Sequence, residues 1–444
     1  MTSSSMPPGI PSSGRRDLPG RRDHSGSSLL LMLFALPFGF RLLVKLREAI
    51  VTMDPRHNFN NDWGISEWII NYQSGFIRRG LPGEVMYRLH RLTGLPPGVM
   101  AIGFSLLIFF AFAWYLRRRS RGILPGWLLL TTPFLGFSVY LEIALVRKDL
   151  LCLLIFAICA RLAMAARQGA RALALISLLL TAGILSHEQM GFFGLPLIAT
   201  ALVACQRQRR GGGPVTWGDL RPLAALLPPA AAFLAVLRFS GTRSQGLGIY
   251  NSWLDALPAP FHGPPGAPLS WIGKSGHYAI ETTHQLHQQI YFGLPYWLIV
   301  VLAAVAGVVL IGAAIHRHNP AYGPIFLLVA PLQFAAMAPL FHAAHDQGRW
   351  VIISLMSASL FCLESPAWMR QGLNARVPRR LLTWAWPGWA APLGLACWGV
   401  PVVKWSLTGW VMTCPIGLPF QLYFYLRLAG MPHPLTWLGG GPWR

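Results

Sequence analysis

Charge is what this sequence has least of. Only 12% of its 444 residues are Asp, Glu, Lys or Arg, about half the ~25% of a typical soluble domain. Acids are the scarcer sign, 15 against 37 Lys and Arg, so the formal net charge is +22. That poverty of charge excludes an ordinary soluble globular protein. Cysteine is also sparse: Cys152, Cys159, Cys205, Cys362, Cys397 and Cys414 lie in or beside apolar runs and form no CxxC. A disulfide framework or thiolate metal site is therefore not expected. There is no P-loop, GxGxxG or GxSxG element, which argues against an ATPase, a dinucleotide enzyme and an α/β-hydrolase. His187-Glu188 opens like the zinc motif HExxH, but Gly191 stands where the second histidine would be. No internal repeat is visible.

Apolar sequence is what there is in quantity. The chain is 54% hydrophobic, with 18 Trp and 36 Pro and a mean hydropathy of +0.46. Tryptophan anchors at membrane interfaces and proline is tolerated in transmembrane helices. The excess of positive charge is broken into short clusters between apolar runs, where it orients spans, so no nucleic-acid partner is expected. Arginine far outnumbers lysine and Ala, Gly and Pro abound, a composition that fits a GC-rich bacterial source.

A helix needs about 20 mostly apolar residues to cross a bilayer. That rule places spans near 29–50, 96–116, 125–145, 149–166, 172–187, 189–206, 222–240, 294–315, 322–341, 350–364 and 382–404, with a twelfth near 407–429 that Pro415 and Pro419 interrupt. The expected fold is all-α, a polytopic membrane helix bundle of about 11–12 transmembrane helices with large extracytoplasmic loops. Residues 1–27, rich in Ser, Pro, Gly and Arg, are expected to be a disordered cytoplasmic tail. Residues 28–430 form a single transmembrane domain with external loops 51–95 and 241–293, and 431–444 a C-terminal tail. Arg15-Arg16 and Arg21-Arg22 before the run from Leu29 resemble a signal peptide without a cleavage site, hence an uncleaved first span. Arg41 falls inside that span and must snorkel or face a polar cavity.

With the N-terminus in the cytoplasm, the basic clusters Arg117 to Arg121, Arg161 to Arg171, Arg207 to Arg221, Arg317 and Arg370 to Arg380 all fall inside, as the positive-inside rule requires. The expected location is a bacterial inner membrane. Five unusual polar stretches then gather on the outer face. They are residues 54–84, the Arg147-Lys148-Asp149 turn, Ser186-His187-Glu188, the loop 241–293, and the run His342 to Trp350. Ionisable residues at membrane depth are costly and mark functional sites.

The first stretch carries Asp54, Asp62, Glu67 and Glu84, the Arg78-Arg79 pair and a short helix expected from Ile65 to Tyr72. Asp62, between Asn60-Asn61 and Trp63, is the first candidate for a general base towards a hydroxyl. Asp54 is the second, and capping of the following helix is the competing role for Asp62. Arg78, Arg79, Arg147, Lys148 and Arg349 lie outside against the charge rule, as phosphate ligands would. Anchoring on lipid phosphates or pairing with Asp149, Glu84 and Asp346 is the alternative. His187, Glu188, His345 and Asp346 are candidates for hydrogen bonding to a phosphate or sugar. No dedicated metal site is expected; a divalent cation is the one cofactor that the spacing of His342, His345 and Asp346 leaves open. A second short helix is expected from Tyr278 to Gln289, bearing His284 and His287.

With this topology, its first-loop acids and its external arginines, the chain resembles the GT-C class of integral membrane glycosyltransferases. The resemblance implies transfer of a sugar from a polyprenyl-phosphate donor to a glycan or lipid acceptor on the extracytoplasmic face. It makes Asp62 or Asp54 the base and the external Arg and Lys residues the donor-phosphate ligands. The eight-residue separation of Asp54 and Asp62 departs from the adjacent acids common in that class. Wzy-type polysaccharide polymerases look similar too. A transporter or flippase of a lipid-linked or anionic solute is an alternative of another kind, and an acyltransferase using His187 or His345 with Asp346 a third.

Overall fold

The computed structural model describes residues 24–52, 63–140, 144–165, 169–256, 268–274, 276–288, 290–291, 294–344, 346–374, 387–400, 402–406 and 409–413. Asp54, Asp62 and His345 lie outside the described residues, as do both expected tails beyond 24–27 and the twelfth span beyond residue 413.

The chain is an all-α helix bundle. Its helices run α1 (His24–Thr52), α2 (Trp63–Trp68), α3 (Gly80–Thr93), α4 (Pro97–Ser120), α5 (Phe137–Tyr140), α6 (Asp149–Met164), α7 (Ala170–Ser186), α8 (Gln189–Arg209), α9 (Trp217–Leu220), α10 (Leu227–Arg238), α11 (Arg243–Ser252), α12 (Gly276–His287), α13 (Tyr296–His318), α14 (Gly323–Ala343), α15 (Gln347–Glu364), α16 (Ala367–Asn374) and α17 (Ala390–Cys397). Two short hairpins are the strands among the described residues: β1 (Ile290–Tyr291) with β2 (Leu294–Pro295), and β3 (Val402–Ser406) with β4 (Gly409–Thr413).

Six helical segments are long and apolar enough to cross a bilayer: Ser28–Val51, Pro97–Ser120, Gln189–Arg209, Trp217–Arg238, Tyr296–His318 and Gly323–Ala343, each of 21 to 24 residues. At 1.5 Å per residue each exceeds the roughly 30 Å of bilayer hydrocarbon. The chain is a membrane protein on this ground. Proline opens α4 and α14, where its missing N–H costs nothing.

Other expected spans take a different form. α6, α7 and α15 have 16, 17 and 18 residues. Every residue of α15 is buried, because it packs among α4, α6, α8, α13 and α14. Two of its hydroxyls are satisfied within the helix: Ser357 and Ser359 donate to the carbonyls of Ile353 (2.7 Å) and Leu355 (2.8 Å). The expected helix 125–145 breaks into a 3-10 turn (Gly126–Leu130), a π turn (Thr132–Gly136) and α5, with Phe134 far from helical angles and Pro133 inside. The segment 382–404 contains only α17 among its described residues, followed by β3. Arg41 of α1 is buried.

The two long loops are more ordered than their composition implies. Instead of a surface helix over 65–72, α2 spans Trp63–Trp68 and buries Gly64 to Trp68. α3 and α11 fold within the loops, and the expected helix over 278–289 is α12. Ile65, Trp68, Ile69, Ile70 and Ile77 join Ile249, Tyr250, Trp253, Leu269 and Ile272 in a second apolar core. Trp253 Nε1 donates to the Ile69 carbonyl (2.8 Å) and Asn71 Nδ2 to Ser252 Oγ (2.9 Å). Residues 63–95 thus pack with 243–256 and 268–272 into one cap at one end of the bundle. Gly83 permits it: a Cβ there would lie 1.9 Å from the Ile70 carbonyl oxygen.

Candidate functional site

The cap closes over the start of three helices. α6, α8 and α15 pack together, and their first residues carry Asp149, Glu188 at the N-cap of α8, and Asp346 at the N-cap of α15. Acids belong there, because helix N-termini are electropositive. The 3-10 turn Ala144–Val146 delivers Arg147 and Lys148 to the same place. Four of the polar stretches found in the sequence therefore meet in one ionic cluster.

Arg79 is its bridge to the cap. Its guanidinium donates from Nη1 to Glu67 Oε1 (2.9 Å), from Nε to Glu188 Oε2 (2.7 Å) and from Nη2 to Glu188 Oε1. Arg78 Nη1 stands 3.8 Å from Glu188 Oε1 and is partly exposed. Arg79 has φ +65°, the one positive φ outside glycine among the described residues, a conformation costing about 1–2 kcal/mol. Lys148 Nζ donates to the Arg79 carbonyl (2.9 Å) and lies over the Trp68 ring, so contacts at both ends hold the strained residue.

Arg349 is the bridge across the bundle. Its Nε donates to Asp149 Oδ2 (2.8 Å), and its Nη2 to Asp149 Oδ1 and to Gln189 Oε1 (3.3 Å). The same Nη2 lies 3.2 Å from His187 Nε2, and Nη1 lies 3.4 Å from Asp346 Oδ2. Gln189 Nε2 also donates to Asp149 Oδ1 (2.7 Å). Arg147 Nη2 reaches Asp346 Oδ2 at 3.2 Å, while its Nε, 4.0 Å from Asp149, is buried without a hydrogen bond. His187 Nε2 is 3.4 Å from Glu67 Oε1, and its Nδ1 is 3.5 Å from Glu188 Oε2. His187 thus sits between the two bridges, with Asp346 paired to the arginines instead.

Burial makes these charges strong. Glu67, Lys148 and Asp149 are wholly inaccessible, and His187 is 1% exposed. Burial alone would raise the Glu67 carboxyl, but the His187 hydrogen bond and the Arg79 charge outweigh it and hold its pKa well below the carboxylate range. Glu188 behaves likewise: burial is overcome by Arg79 and His187. Burial and the Arg79 charge keep His187 below its ordinary value, so the imidazole is neutral near pH 7. Among the described residues the cluster then holds five cations (Arg78, Arg79, Arg147, Lys148, Arg349) against four carboxylates (Glu67, Asp149, Glu188, Asp346). Glu67 Oε2 and Arg147 Nε are left without partners. A cluster with one surplus positive charge, a free acceptor and a free donor suits an anionic, hydroxylated ligand.

Burial lowers the Lys148 pKa to about 8, against the pull of Glu67. The unfolded chain keeps that proton up to about pH 10.4. Between about pH 8 and ~10.4 the folded protein therefore binds fewer protons, so stability rises with pH. At roughly 1.36 kcal/mol per unit the rise approaches about 3 kcal/mol. Lys148→Met should flatten that part of the stability–pH curve, measured as the denaturation midpoint in detergent from pH 8 to 10. An unchanged slope would assign the rise to another group.

Of the candidates read from the sequence, Arg78, Arg79, Arg147, Lys148, His187, Glu188, Asp346 and Arg349 come together. Glu67, Asp149 and Gln189 were not singled out as site residues, yet they hold the cluster. Their signal was present: Glu67 sits between Ile65 and Trp68-Ile69-Ile70, and Asp149 opens a run of apolar residues. An acid in such surroundings must be buried and paired. Among the described residues no group of three or more His, Cys, Asp and Glu side chains could hold a metal ion. No protein-family model, curated protein or solved structure matches the chain.

Proposed function

We propose that this membrane protein is a glycosyltransferase that moves a sugar from a polyprenyl-phosphate donor to a glycan or lipid acceptor. The single observation that carries this reading is the ionic cluster. It lies beneath a folded cap at the starts of apolar helices, and its described residues carry one more cation than carboxylate. In the reaction the acceptor oxygen attacks the anomeric carbon and the bond from that carbon to the phosphate oxygen breaks. The hydroxyl proton passes to a carboxylate, Asp62 or Asp54. Arg78, Arg147 and Arg349 meet the charge left on the polyprenyl phosphate. Lys148 is directed at the Arg79 carbonyl and acts by shaping that turn.

The positive-inside pattern of the basic clusters supports a reading in which this end of the bundle faces the outside of a bacterial inner membrane, with the N-terminus in the cytoplasm. A Wzy-like polymerase would use the same cluster with a diphosphate donor. A flippase would place its binding residues near the middle of broken spans, whereas these stand at helix starts. The test is sugar transfer in membranes supplied with polyprenyl-phosphate sugars. The expected result is transfer by wild type and a loss of about 10²–10⁴-fold in Asp62→Asn or Asp54→Asn. Full activity in both variants would overturn the assignment of the base.

A further inference from the structure

Helix α12 is held to the bundle by little. Of its 12 residues only Thr283 and Leu286 are buried, and it rests on α13 and α14. A helix with so few apolar contacts opens locally at low cost. The polar contacts beside that stripe therefore decide whether it stays docked, and three histidines supply them. His287 stacks on Tyr296 of α13, with ring centroids 6.0 Å apart, and lies against Gln347, the first residue of α15. His284, one turn earlier, meets His342 of α14 edge to face at 5.9 Å.

The Gln347 amide fixes the proton state that docking requires of His287. Gln347 Nε2 donates to the Ala344 carbonyl (2.8 Å), and Gln347 Oε1 accepts from Tyr296 Oη (3.2 Å). A flipped amide would set its oxygen against the Ala344 carbonyl oxygen, so the orientation is determined. The same Nε2 lies 3.2 Å from His287 Nε2. Its second N–H is accepted there only by a bare Nε2, in the neutral imidazole with its proton on Nδ1. An imidazolium would bring N–H against N–H at a half-buried position. The groups facing His287 offer no relief. They are His284 from α12, His342 from α14 and the Tyr296 phenol from α13. On α15, Asp346 adjoins Gln347 but is engaged by Arg147 and Arg349. Glu281 of α12 lies 4.0 Å from His277 instead. Among the described residues no carboxylate pairs with His284, His287 or His342. Burial, and then the charges of His284 and His342, hold the His287 pKa below its ordinary value. His284 and His342 are exposed, so solvent screens the charge that they gain and His287 carries most of the effect.

We propose that α12 is an acid-released lid: unprotonated imidazoles dock it on the start of α15, and proton uptake at His287, aided by His284 and His342, lifts it. Released, His287 titrates near ~6.5; docked, it titrates lower. Docking is therefore at full strength above ~6.5 and weakens as pH falls below it. Gln347 is one residue from Asp346, so release frees the residue next to the ionic cluster. The device does not depend on what that cluster binds.

The experiment is hydrogen exchange read by mass spectrometry on the full chain in phosphatidylcholine nanodiscs, with rates corrected for the intrinsic effect of pH. Protection of the α12 amides should fall at least about fivefold between pH 7.5 and 5.5, since one proton site allows up to about tenfold per pH unit. Protection of α15 from Val351 to Glu364 should not change. His287→Gln keeps an acceptor and takes up no proton, so its α12 should stay docked with protection independent of pH. The double variant His284→Gln/His342→Gln changes two exposed side chains and should fold as wild type with a smaller response. Equal protection of wild-type α12 at the two pH values would overturn the proposal. A wild-type response in His287→Gln would overturn it as well, and so would an equal loss over α12 and α15, which is general acid unfolding. A full response in the double variant would overturn the part given to His284 and His342.

Discussion

Arg349→Met should destabilise the protein by roughly 3–5 kcal/mol, and pairing it with Asp149→Leu should return most of that loss. The single variant strips Asp149 of two guanidinium hydrogen bonds in a site where water cannot replace them. Asp149→Leu alone leaves Arg349 and the nearby Arg147 to share the single carboxylate of Asp346, a cost of similar size. With both changed, an apolar pair fills the space and no large charge is stranded, although Gln189 loses its acceptor. The cycle is measured by denaturation in detergent, with a coupling of at least about 2 kcal/mol expected. Additive single effects would mean that the pair is not the fastening between α6 and α15.

Arg79→Ala should cost about as much, roughly 3–5 kcal/mol, since two carboxylates lose their common partner. Arg79→Gly should do better than Arg79→Ala by about 1 kcal/mol, because glycine accepts φ +65° without strain. The pH dependence should also flatten. In wild type Glu67 and Glu188 have depressed pKa values. Their contribution is complete above the unfolded value near ~4.3 and is lost as pH falls below it. Without Arg79 both carboxyls lose one of the groups that depress them, so their pKa values move up towards ~4.3 and the variant gains less stability as pH rises through that range. Melting temperatures from pH 3.5 to 6 distinguish the two slopes. Parallel curves would remove Arg79 as the group that holds these acids ionised.

Much of this was legible in the residues. Long apolar runs, free of acids except for Glu48 in α1, gave α1, α4, α8, α13 and α14 almost to their ends, since length and hydropathy decide a span. The gathering of Arg79, Arg147, His187 and Arg349 followed from alternation of the loops. The inner helices were harder to read. α15 is as apolar as a span, but hydropathy cannot separate burial in protein from burial in lipid, and its 18 residues suit the former. The broken third segment depends on how Pro133 and Gly136 pack, which a composition window averages away. Glu67, unlike Asp62 with its polar neighbours Asn60 and Asn61, is flanked by apolar residues. Its apolar neighbours were the better sign of a buried, paired carboxylate.

The most direct test of phosphate binding at the ionic cluster is the transfer rate of Arg147→Gln from a radiolabelled polyprenyl-phosphate sugar. Within the cluster Arg147 is an arginine whose buried Nε lacks a partner, and its contact to Asp346 is a single 3.2 Å hydrogen bond. Its removal should therefore spare the fold more than loss of Arg79 or Arg349. The expected result is a rate lower by about 10²–10³-fold with a melting temperature within a few degrees of wild type. A wild-type transfer rate in Arg147→Gln would contradict phosphate binding at this cluster.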